Sequence, residues 1–77
     1  MVQAYVLVQT DVGQRPRVTQ QVRDISGVET AADVTGPYDI VVRAEAEDMD
    51  ALSSLVVARI QRLDGIARTL TCPIVTI

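Results

Sequence analysis

The chain of 77 residues predicts an α+β domain in the order β-α-β-β-α-β. Three observations carry that reading. Apolar residues alternate through short runs rich in β-branched side chains, the pattern of strands. Two intervening stretches switch to the spacing of amphipathic helices. The two halves also echo each other: "RDISGVET" (residues 23–30) and "RLDGIART" (62–69) each leave a helix, pass a glycine and enter a strand, with Gly27 and Gly65 38 residues apart. Two β-α-β halves so related form the ferredoxin-like split unit, an antiparallel sheet with both helices on one face.

The elements follow in order. Val2 to Thr10 is a strand with Val2, Ala4, Val6 and Val8 on one face. Its other face is apolar at Tyr5 and Leu7, so this strand is expected at the centre of the sheet, covered on both sides. "DVGQRP" breaks it, and Pro16 suits the first turn of a helix, where its missing N–H is not needed. Val18, Val22 and Ile25 form that helix's stripe, and Gly27 ends it. Val28 to Val34 alternates, with Val28, Thr30, Ala32 and Val34 read as the inward set. Ile40 to Ala46 follows the turn, with Ile40, Val42 and Ala44 inward and Val41 and Arg43 outward. Residues 46–65 read as the second helix, with Asp48 as N-cap and a stripe of Leu52, Leu55, Val56, Ile60 and Leu63. Gly65 stops it. Ile66 to Ile77 is the last strand, which Pro73 marks as an edge or a bulge.

Length and composition bound the rest. Residues 1–77 make one small domain, of a size that buries only about 60–65% of its unfolded surface. One cysteine and no histidine leave neither a disulfide nor a zinc site to staple it. A small aliphatic domain of this kind gains burial from a second copy, and the face bearing Tyr5, Leu7 and Val41 is the expected dimer interface. The net charge of −3 argues against direct contact with nucleic acid, which needs a basic face. No apolar run is long enough to span a bilayer, and the N-terminus lacks a signal-peptide pattern. The expectation is a soluble, cytoplasmic chain without membrane attachment.

No catalytic constellation stands out, and no cofactor or metal is implied: there is no His base, no Ser-His or Cys-His pair, and no phosphate loop. Cys72 reads as a small buried hydrophobe. Thr69 and Thr71 share a face of the last strand, where their hydroxyls either fill the pleat or meet a polar ligand. The most informative stretch is "VTGPYDIVV", residues 34–42. As a plain turn it is self-sufficient, since Gly36 tolerates positive φ, Pro37 presets φ, and Asp39 can bond its own backbone. The same turn also exposes backbone N–H groups that suit a carboxylate, beside an Asp39 that suits an ammonium group. A free amino acid needs both.

"VTGPYDIVVRAEAEDMDALSSLV", continued by "IQRLDGIARTLTCPIV", resembles the effector-binding (RAM) domain of the Lrp/AsnC family of transcription regulators. The shared features are the Thr-Gly-x-Tyr-Asp turn before an aliphatic strand, the acidic helix start, the Leu-x-Gly-Ile helix exit and the Thr-x-Thr of the last strand. The resemblance implies a dimeric α+β barrel that assembles further. It also implies an amino-acid effector bound between dimers by Gly36, Tyr38 and Asp39, with Thr69 and Thr71 assisting. The family's N-terminal helix-turn-helix has no counterpart before the first strand, so the expectation is either a stand-alone form, acting alone or by mixed assembly with full-length regulators, or one domain cut from a longer chain. The overall expectation is a non-enzymatic amino-acid-binding and oligomerisation domain with a regulatory role. Two alternatives stand beside it: a small dimeric α+β barrel enzyme of the cofactor-free monooxygenase type, and a purely structural oligomerisation module.

Overall fold

The computed structural model describes residues 1–75. Strand β1 spans Val2–Thr10, helix α1 Arg15–Arg23, β2 Val28–Asp33, β3 Ile40–Ala46, helix α2 Met49–Ser54 with a π-helical continuation Leu55–Ile60, and β4 Ile66–Pro73. The sheet is antiparallel throughout, in the order β2-β3-β1-β4. This is the ferredoxin-like α+β fold that the element order predicts. β1 is central, and β4 lies at an edge, where Pro73 leaves no ladder bond unmade. Thr76 and Ile77, the end of the predicted last strand, lie outside the described residues.

Both helices cover one face. Ala4, Val6 and Val8 of β1 and Ile40, Val42 and Ala44 of β3 are fully buried, and the register sets Val6 opposite Val42 and Val8 opposite Ile40. Val18 and Val22 of α1 close over them together with Val56 and Ile60, while Leu52 packs on Ala4 and Ala44. Fully burying each Val, Leu or Ile side chain of this set contributes about 1.5–3 kcal/mol. Asp48 caps α2, its carboxylate accepting from the Ala51 N–H at 2.8 Å. Pro16 sits in the first turn of α1. That helix closes at Arg23, earlier than Gly27 suggests, and Ile25 reaches the core from the connection that follows.

The internal repeat is structural. Gly27 and Gly65 adopt φ of +97° and +93°. The Gly27 carbonyl accepts from the Glu45 N–H and the Gly65 carbonyl from the Asp11 N–H, each at 2.8 Å. Each glycine is also pressed by the other half's helix. A Cβ on Gly27 would lie 2.8 Å from Leu55 Cδ1, and one on Gly65 would lie 3.2 Å from Val18 Cγ2.

Two expectations need correction. In β2 the pairing with β3 slips between Val28 and Thr30, so the inward residue after the slip is Ala31, which is buried, while Thr30 and Ala32 are exposed. A bulge inserts one residue and exchanges the faces beyond it. Cys72 is exposed rather than buried. It pairs with Tyr5, which places it on the sheet face that the helices leave open.

Candidate functional site

The β2–β3 turn is closed by one bond of its own backbone and tied to β1 by another. The Val34 N–H donates to the Asp39 carbonyl and the Asp39 N–H to the Val8 carbonyl, both at 2.9 Å. Gly36, at φ +146°, allows the reversal, and Tyr38 and Asp39 are half-buried behind it. The Asp39 carboxylate does not turn toward the N–H groups of its own turn. Its Oδ2 accepts from the Thr10 N–H at 2.8 Å and from the Thr10 hydroxyl at 3.1 Å, clasping the start of β3 to the end of β1. The Thr10 N–H bond holds the carboxyl below the usual carboxylate range, helped by the Thr10 hydroxyl and by the positive charge of Arg15 and opposed by partial desolvation. Gln9 adds a longer bond of 3.4 Å from Nε2 to the Pro37 carbonyl.

Asp39 forms part of the wall of an open cleft of about 520 Å³, lined also by Thr10, Val12, Gly13 and Arg15. Thr69 and Thr71 lie elsewhere. Paired with Val8 and Val6, they occupy the helix-side face of the edge strand β4, half-buried. The Thr69 hydroxyl accepts from Gln61 Nε2 at 2.8 Å and lines a separate depression of about 390 Å³ with Gln61 and Arg68. The sheet order puts β1 between β4 and β3. A single chain therefore brings Gly36, Tyr38 and Asp39 together and keeps Thr69 and Thr71 apart from them. Sequence reasoning passed over Thr10, Val12 and Arg15. Only the "DVGQRP" break marked that segment, as a loop.

The open sheet face carries Tyr5, Leu7 and Val41, as read from the sequence. Leu7 stands between Val41 on β3 and Leu70 on β4, and Tyr5 and Leu70 remain 40% and 47% exposed. One half of this face is polar. The Arg43 guanidinium lies 5.8 Å from the centre of the Tyr5 ring, donates to Gln3 Oε1 at 3.0 Å and pairs with Glu29 at 3.2 Å. Gln3 Nε2 donates to Glu45 at 3.2 Å. The neighbouring Glu45 carboxyl holds Glu29 above the ordinary glutamate range, while Glu29 and Gln3 hold Glu45 below it. Among the described residues no cluster of three or more His, Cys, Asp or Glu has metal-binding geometry, and no helix is long and apolar enough to cross a membrane.

Four antiparallel strands with two helices on one side, and an Asp-bearing turn at the end of the central strands, define a ferredoxin-like α+β domain with a small cleft. Residues 3–76 match the Lrp/AsnC ligand binding domain, and the chain belongs to that family. A solved protein of Thermus thermophilus, TTHA0845, is 27% identical, with a TM-score of 0.95 over 100% of this chain and 96% of its own. The transcriptional regulator NMB0573 of Neisseria meningitidis, solved as a complex with L-Met, shares the fold at 22% identity and a TM-score of 0.88, and the match covers 97% of this chain and 50% of that one. Among curated proteins, homocitrate synthase of Sulfurisphaera tokodaii is 35% identical over 54 residues, which is 70% of this chain but 12% of that enzyme.

Proposed function

We propose that this domain binds a free amino acid, assembles with copies of itself, and has a regulatory rather than an enzymatic role. The observation that carries the proposal is the Gly36–Asp39 turn, with its ionised carboxylate facing an open cleft, in a chain of the Lrp/AsnC ligand binding domain family. The Neisseria relative bound to L-Met supports the choice of ligand class. The apolar row Val41, Leu7 and Leu70 supports self-association through the open sheet face. Gly36, Tyr38 and Asp39 are the ligand residues. Thr69 and Thr71 belong to the site only if a second chain brings its β4 to the turn. Ligand held at such a seam favours the assembled form, by no more than its differential affinity for the two states. Mixed assembly with longer family regulators would use the same surface, in the cytoplasm where such regulators act.

Thermal-shift measurements with each of the twenty amino acids at millimolar concentration test the proposal. The expected result is a selective rise in melting temperature that Asp39→Ala abolishes. Asp39→Ala also removes the clasp on Thr10, so the informative quantity is the ligand-induced rise, not the starting temperature. No rise with any amino acid would favour a second reading, a structural assembly module in which Asp39 serves β1 alone. The two bonds from Thr10 to Asp39 Oδ2 are the observation behind that reading.

A further inference from the structure

We infer that Arg15 is the carboxylate receiver of the amino-acid site, lining with Asp39 the cleft at the end of β1, with Val12 as the apolar wall for the ligand's side chain. This rests on the amino-acid reading above and names the residues that divide the work. An α-amino acid needs an anion on one side and a cation on the other. Asp39 supplies the first: both of its bonds to Thr10 fall on Oδ2, which leaves Oδ1 to meet an ammonium group.

Arg15 supplies the second. It lines the cleft with Asp39 and also the neighbouring hollow with Asp33, Val34 and Thr35, so it stands at the foot of the turn. The other two arginines of α1 are engaged within the chain, Arg17 with Gln14, Gln21 and the Asp64 carbonyl and Arg23 with the Ala31 carbonyl. Arg15 has no such bond among the described residues, and the one ion pair found there is that of Arg43. A guanidinium presents a planar fork that fits a carboxylate with two parallel hydrogen bonds. Val12, on the same loop, is 100% exposed, an aliphatic side chain at the rim of a cleft with nothing of its own chain against it. The cleft's 520 Å³ falls within the range of about 300–1,000 Å³ typical of small-molecule sites.

Titration calorimetry on the intact chain tests this with each of the twenty amino acids. L-Methionine is also compared with 3-(methylthio)propylamine, the same molecule without its carboxylate. The expected result is that Arg15→Gln weakens amino-acid binding about tenfold or more, the scale of a lost charge-assisted hydrogen bond. Arg15→Lys, which keeps the charge and loses the fork, should lie between. The amine should bind wild type and Arg15→Gln alike. Equal amino-acid affinity in wild type and Arg15→Gln, with circular dichroism showing both folded, would overturn the assignment of Arg15 and leave the amino-acid reading standing. A wild-type chain that binds none of the twenty would overturn both.

Discussion

Asp39 shows how one side chain combines a structural and a functional reading. Its type and place beside Gly36 were legible in the sequence, because a turn between two strands needs residues of that kind. Its partner was not legible. Thr10 is 29 residues away, and only the β1–β3 register brings it into reach. The hydrogen bonds from Thr10 stabilise the ionised form, so the folded pKa lies below the unfolded value of about 3.9. The stability contributed by that difference is present at neutral pH and is lost as the pH falls through the folded pKa. Melting curves between about pH 5 and pH 2 should therefore fall less steeply for Asp39→Asn than for wild type. Parallel slopes would show that the Thr10 bonds do not perturb Asp39. Cys72 makes the opposite point: its apolar character suggested burial, but facing on an edge strand follows from the partner strand, here Tyr5 on the open face.

At the scale of elements, periodic helices were read more reliably than the strand whose pairing slips. Leu52, Val56 and Ile60 are buried as their spacing demands, even though the helix widens into π geometry over Leu55–Ile60. The stripe persists because the side chains still reach the same strands. The alternation of β2 misled because the bulge depends on β3's register, which β2's own pattern does not contain. The repeat did identify the two glycine turns that lead into β2 and β4, but both helices close before them, at Arg23 and Ile60. It did not show that Gly27 lies against Leu55 of the other half. That contact gives a prediction. Gly27→Ala combines an unfavourable positive φ, costing about 1–3 kcal/mol, with a Cβ 2.8 Å from Leu55 Cδ1. Gly13→Ala has the same kind of φ and open space around the added carbon. Thermal melts should show the larger loss for Gly27→Ala, at about 4–8 °C per kcal/mol for a domain of this size. Equal losses would mean that Leu55 yields freely and that the packing of the two halves is loose.

At the scale of the whole molecule, the chain is a slab with Cα extents of 37 × 22 × 17 Å, helices on one side and a bare sheet on the other. The sequence announced this asymmetry through the apolar outer positions of β1, since Tyr5 and Leu7 make sense in a central strand covered twice. The second cover is absent from the single chain. The polar cluster of Arg43, Glu29, Gln3 and Glu45 was not foreseen, because its members lie on three strands and meet only across the register. A second copy stacking on this face would bury Leu7, Val41 and Leu70, and a typical stable interface removes about 800 Å² per partner. Sedimentation velocity over a dilution series of wild type and Leu7→Glu tests this most directly. Wild type should sediment as a dimer or larger species, and Leu7→Glu as a folded monomer, because a carboxylate buried there would have no partner. A wild-type chain that remains folded and monomeric at every concentration would contradict the account.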